Sequence, residues 1–218
     1  MAVIEFLKVF YTAIFVWLTC LTAIVVLRKS LPFSYRGFAV LVICLSILEI
    51  IGNVIGFVYS NNHFFFNIIY AIELTLVPFF FRYWLKGRWL KAVIQAYLFI
   101  FPVFVLINTI FIQGFFTLQT FSFVIGGSFT LLLAVAYLGE LYAHEEALNI
   151  FRDAAFWFSL GYLIYFAVSV PYFGMLNYLV TNYFSFAKLY YELIFDPTIC
   201  VFNIFLIIGL LCLRTKTR

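Results

Sequence analysis

The chain has 218 residues, of which 67% are hydrophobic and 10% charged, and its formal net charge is +4. A soluble domain carries about 25% charged residues. This chain therefore lacks the polar surface to coat a globule in water, and lipid must be the solvent for most of it. The positive balance does not point to nucleic acid, because the Lys and Arg residues stand at the ends of apolar segments, where membrane proteins keep them.

A membrane-crossing helix needs about 20 mainly apolar residues. Seven such spans are predicted, over residues 6–27, 37–59, 64–85, 92–111, 120–142, 154–178 and 186–213. The connections are short, so residues 1–218 are expected to form a single domain. Its fold class is all-α: a polytopic bundle of seven transmembrane helices whose main partner is the lipid bilayer. The 31 Phe, 15 Tyr and 4 Trp suit lipid-facing packing and interfacial belts in such a bundle. The four cysteines, Cys20, Cys44, Cys200 and Cys212, lie within apolar segments without CxxC spacing and read as small hydrophobes.

The first span is longer than the roughly 7–15 apolar residues of a cleavable signal and is read as a retained helix. Arg28, Lys29 and Arg36 follow it in a basic loop. The second span contains SILEIIGNVIGFVYS. At about 100° per residue, Ser46, Glu49, Asn53, Gly56 and Ser60 fall within roughly 80° of one another. Close helix packing accounts for Gly56 and Ser60, but it does not account for Glu49.

The third span contains NIIYAIELTLVP, with Asn67, Tyr70 and Glu73 spread over about 120°. Pro78 removes the helical hydrogen bond to the carbonyl of Leu74, which leaves an acceptor for a cation or a water, or simply a kink. Arg82, Lys86, Arg88 and Lys91 make the next inner loop basic as well. After the fifth span, GELYAHEEALNIFRD holds Glu140, Glu145, Glu146 and Asp153 against Arg152. This acidic stretch is either a docking surface for a cytoplasmic partner or a counterpart to the neighbouring basic loops. His144 within it reads as a solvated residue.

The seventh span opens with KLYYELIFDP. As an unbroken α-helix it would place Lys188, Glu192 and Asp196 on one face within about 80°, with Asn203 returning to that face. Lys188 and Glu192 form an i,i+4 rim pair near the boundary. Asp196 has no Lys or Arg within four residues and directly precedes Pro197. The third and seventh spans share a Tyr, an acid and a Pro, but in different register, so no internal repeat is inferred.

Eleven of the 13 Lys and Arg residues fall on one side of this seven-span chain, leaving Lys8 and Lys188 on the other. The positive-inside bias then predicts an outside N-terminus and an inside C-terminus. Counted from the outer boundary at about 1.5 Å per residue, Glu49, Glu73 and Asp196 each sit roughly 13–15 Å deep. Three acids at one level on three helices predict a shared polar site, with Asn53, Asn67, Tyr70 and Asn203 as further candidate ligand- or ion-binding residues. Three carboxylates in one site cannot all be ionised without a balancing cation, so at least one is expected to hold a proton. The competing reading is that each acid is separately hydrogen-bonded as structural glue.

No catalytic residues, cofactor or metal site are predicted. A zinc centre wants three protein ligands, and the only histidines are His63 and His144, in different loops. A retinal pigment would need a lysine midway along the last span, where Ile, Phe and Cys stand. Two classes remain. One is a signal-input module that senses a small ligand, a cation or protons and acts through a cytoplasmic partner at the basic inner loops. The other is a proton- or cation-coupled small-solute transporter, for which Pro78, Pro102, Pro171 and Pro197 would supply broken helices.

Three stretches carry a resemblance: NIIYAIE, AFWFSLGYLIYF and FNIFLIIGLLCLR. Together they resemble a group of small, standalone seven-helix membrane proteins of bacteria, and more distantly the seven-helix input regions that precede histidine kinases. The resemblance implies a bacterial inner-membrane location and a sensor-like role. Because no kinase or cyclase follows Leu213 here, it also implies that any output passes through a separate chain.

Overall fold

The computed structural model describes residues 2–59, 61–143 and 150–213, with side chains from residue 11 onward. The elements are α1 (Ala2–Val26), α2 (Phe33–Tyr59), α3 (His63–Trp84), α4 (Arg88–Ile107), α5 (Thr120–Ala143), α6 (Ala154–Asn182), α7 (Phe184–Tyr190) and α8 (Asp196–Cys212). A π-helical turn, Asn108–Ile112, extends α4, and a second, Tyr191–Phe195, joins α7 to α8. The last span is thus one helical rod with a widened turn inside it. Among the described residues, six helices are long and apolar enough to cross a membrane. α1 adds a 25-residue helix, of which Tyr11–Val26 is the apolar part described. Helix throughout is the expected outcome, since in lipid each backbone N–H and C=O must find its partner within the segment.

Several helices outrun their apolar limits. α2 starts four residues before the predicted 37, and α6 runs on to Asn182. The start of α6 is as predicted, and there Asp153 accepts a hydrogen bond from the Ala155 backbone at 3.1 Å as the N-cap.

Packing makes a closed ring. α1 lies between α2 and α8, α2 meets α3, α3 meets α5, α5 meets α6, and α6 returns to α8. α4 stands outside the ring against α3 and is the least buried of the six long spans. Small residues set the close approaches. A Cβ on Gly127 of α5 would lie 2.9 Å from the Phe166 ring of α6, and one on Gly209 of α8 would lie 2.5 Å from the ring of Phe158. The Leu74 carbonyl left over by Pro78 accepts from the Tyr97 hydroxyl of α4 at 3.0 Å. Pro78 therefore fastens the outboard helix to the ring.

At the end of the bundle bearing the α3–α4 loop, helix termini are tied by side chains. Glu140 accepts from the backbone N–H of Lys86 at 2.7 Å and of Gly87 at 2.9 Å, where α4 begins. Lys29 donates to the carbonyl of Leu213 at 3.3 Å, a cation placed at the negative end of α8. Asp153 also accepts a short hydrogen bond from the Tyr137 hydroxyl. Glu140 and Asp153 thus have partners within the chain, while His144, Glu145 and Glu146 lie outside the described residues. All four cysteines are free thiols, with Cys20 and Cys200 buried and Cys44 exposed on the apolar exterior.

The same end is closed by aromatic side chains. Phe38, Phe81 and Phe158 are fully buried. The Phe38 ring centroid lies 5.1 Å from that of Trp84 and 4.5 Å from that of Phe158, with Phe80 edge-on at 5.6 Å. Edge-to-face packing of this kind leaves little free volume on the bundle axis.

Candidate functional site

Above this plug the ring surrounds a partly open cavity of about 290 Å³. α2 contributes Ser46, Glu49 and Asn53 to its wall, α3 contributes Tyr70 and Glu73, and α8 contributes Asp196 and Asn203. Thr12 of α1 completes that side. The α2 residues share a face because 46, 49 and 53 recur at i, i+3 and i+7. The remaining wall is aromatic: Tyr162, Tyr165 and Tyr172 on one face of α6, with Tyr191 from the π turn. Tyr162 forms the floor, with its ring 6.4 Å from Phe38 of the plug and stacked 5.9 Å from Phe166.

Glu49, Glu73 and Asp196, from three different helices, line one cavity. None of the described residues hydrogen-bonds the side chains of Glu49, Glu73 or Asn53. All three side chains are partly exposed and line the cavity. Tyr70 presents its ring to the cavity and is held edge-on by Phe123 at 4.9 Å.

Two of the sequence candidates have other duties. Asn203 stands in the wall, but its Oδ1 accepts from the Thr19 hydroxyl at 2.7 Å and its Nδ2 donates to the Ile199 carbonyl at 2.9 Å. Its amide is bound up in the α1–α8 interface. Asn67 is buried away from the cavity wall, where its Nδ2 donates to the carbonyls of Phe115 and Thr117 at 3.1 and 2.8 Å and its Oδ1 accepts from the Gln119 N–H at 2.9 Å. Asn67 is a clamp on the α4–α5 loop, and through that loop it holds Leu118 in the cavity wall.

Lys188 and Glu192 pair at 3.8 Å on the rim and do not line the cavity. The π turn explains why Asp196 parts from them. Pro197 has no N–H, and its ring would crowd the Leu193 carbonyl of a regular helix. The Asp196 backbone N–H donates to the Tyr191 carbonyl, five residues back, rather than to that of Glu192. The added residue in that turn rotates all that follows by roughly 100° relative to Lys188 and Glu192. Asp196, Ile199, Asn203 and Leu206 then form one regular face of α8 toward the cavity.

The sequence reading missed the tyrosine wall, the floor and the mouth. Tyr162, Tyr165, Tyr172 and Leu176 fall on one helical face of α6, a periodicity that was available in the sequence but looks like ordinary aromatic core. Asn62, from the α2–α3 loop, and His63, the first residue of α3, reach the other end of the cavity. Asn62 lies across α2 and donates to the Gly52 carbonyl at 3.1 Å. A Cβ on Gly56 would stand 2.4 Å from its Nδ2, so Gly56 makes room for a loop side chain rather than for a neighbouring helix. Comparison of the chain with protein-family models, with curated proteins and with solved structures finds no match.

Proposed function

We propose that this membrane protein is a receptor-like input module, which takes a small cationic solute or protons into the ring cavity and signals to a cytoplasmic partner through its basic loops. The observation that carries the reading is the composition of one wall: carboxyls from α2, α3 and α8 face tyrosine rings from α6 across about 290 Å³. Carboxylates and aromatic faces are the two groups that attract a desolvated ammonium, and the volume lies near the lower end of small-molecule sites. The aromatic plug beyond Tyr162 favours sensing over conduction, because the cavity ends there. With the N-terminus outside, the mouth at Asn62 and His63 faces the exterior, and a bacterial inner membrane is the expected setting.

Coupled transport is the second reading, and one feature favours it. The last span is interrupted by a π turn and Pro197 beside Asp196, the kind of break on which transporters build mid-membrane ion sites. Purified protein in liposomes loaded with a pH-sensitive dye, challenged with a panel of small amines, separates the two. Saturable binding without proton movement, weakened about tenfold or more by Glu73→Gln, is the expected result. Amine-dependent proton movement that disappears in Asp196→Asn would establish transport instead. Neither binding nor flux with any amine, from a protein that remains folded, would overturn the cavity reading.

A further inference from the structure

A second, shallower depression of about 610 Å³ adjoins the cavity at the α2–α3 end. Its walls carry Gln113 and Thr117 from the α4–α5 loop and Asn177 and Thr181 from the last turns of α6. These are neutral hydrogen-bonding groups, unlike the carboxyls deeper in. Three residues belong to both chambers: His63, Leu118 and Leu176. They come from three separate elements, the start of α3, the α4–α5 loop and α6. We infer that the two chambers form one access path for the solute, with Leu118 and Leu176 as its constriction and Asn67 as the residue that sets the constriction's width.

The backbone around Leu118 supports this assignment. Asn67 binds the Thr117 carbonyl on one side of Leu118 and the Gln119 N–H on the other, while the Leu118 carbonyl accepts from Thr120 N–H at 3.0 Å. Gln119 is held further by its side chain, which donates to Thr109 at 2.7 Å. Leu118 is therefore fixed relative to α3, while Leu176 is carried by a long helix packed into the ring. A solute coming from the depression must pass between these two apolar side chains, losing water before it meets the tyrosines and carboxyls. His63, also at the junction, offers the polar edge along which that exchange takes place.

The inference rests on the cavity being the solute site, and the test keeps the two apart. In a variant with the four cysteines replaced, Ser46→Cys reports on the inner chamber and Asn177→Cys on the outer one. The probes are a trimethylammonium-bearing and a sulfonate-bearing methanethiosulfonate, applied to proteoliposomes. Modification at position 46 is expected to slow about tenfold or more in Leu118→Trp and in Leu176→Trp, and to quicken in Leu118→Ala and Asn67→Ala. Position 177 should react at the same rate throughout. Leu132→Trp, on the exposed outer face of α5, should change neither rate and serves as the folding control. Unchanged rates at position 46 in both Trp variants, or no reaction there even in Leu118→Ala, would overturn the path. The preference for the cationic over the anionic probe at position 46 reports separately on the carboxyls. Its loss would count against the solute reading while leaving the path in place.

Discussion

Tyr97→Phe removes one oxygen and little else. The ring keeps its stacking on Phe129 at 3.9 Å and on Phe101 at 4.9 Å, so the change isolates the hydroxyl's hydrogen bond to the Leu74 carbonyl. That carbonyl belongs to a fully buried residue and has no helical donor, because residue 78 is proline. Hydrogen bonds between membrane helices contribute about 0.6 kcal/mol on average and up to about 1.7, while an unsatisfied buried acceptor costs about 1–3 kcal/mol. A loss of about 1 kcal/mol is expected. The informative measurement is the double-mutant cycle with Pro78→Ala. Alanine restores an N–H at position 78, which can donate to Leu74 along the helix, so Tyr97→Phe should then cost half as much or less. Reversible unfolding in mixed micelles, titrated with denaturing detergent, reads all four species. The double mutant is expected to be more stable than the sum of the single changes by about 0.5–1 kcal/mol. Additivity within about 0.3 kcal/mol would refute the claim that proline and tyrosine act as one device holding α4 to the ring.

Three further outcomes follow from local geometry. Gly209→Ala puts a methyl 2.5 Å from the Phe158 ring and 3.1 Å from the Ala154 carbonyl, and overpacking of this kind costs about 1–3 kcal/mol. Gly139→Ala meets nothing within 4 Å and should gain up to about 1 kcal/mol from helix propensity alone; the two melting temperatures should move in opposite directions. Lys188→Met breaks an ion pair at 3.8 Å whose lysine is 55% exposed. A screened pair of that kind is worth a few tenths of a kcal/mol at most, so the same titration should show no resolvable change.

The spans were legible because lipid leaves the chain few choices: about 20 apolar residues bounded by charge specify a helix wherever they occur. Rise per residue is constant along a helix, and counting it suggested a common level for Glu49, Glu73 and Asp196, which line one cavity. Lateral arrangement was less accessible. Nothing local to α4 tells that it stands outside the ring, since that position depends on the Leu74 carbonyl and on how closely Gly126 lets α5 approach. A Cβ at Gly126 would lie 2.7 Å from Phe101 of α4 and 2.9 Å from Leu74 of α3. The role of Asn67 was similarly hidden. Its position on a polar face of α3 suggested the cavity, yet its partners lie 48 to 52 residues away in a loop that carries no pattern of its own.

The last span shows most directly where periodicity stops being a guide. Spacing of four residues puts Lys188, Glu192 and Asp196 in one row only if every turn is α-helical. In a single row, an aspartate facing the cavity would draw the rim pair inward with it, and a rim pair facing water would carry the aspartate out. The π turn at Tyr191–Phe195 removes that conflict by adding one residue between the second charge and the third. Lys188 and Glu192 keep the outer row, where a loose pair is stable near water, and Asp196 takes the inner row with Ile199 and Asn203. Tyr191, inside the widened turn, also reaches the cavity wall. Pro197 makes the arrangement durable, because reverting to a regular helix would press its ring against a carbonyl one turn back. A π turn kept in place by a neighbouring proline, at the point where it turns a carboxyl toward the cavity, fits the tendency of π turns to mark functional positions.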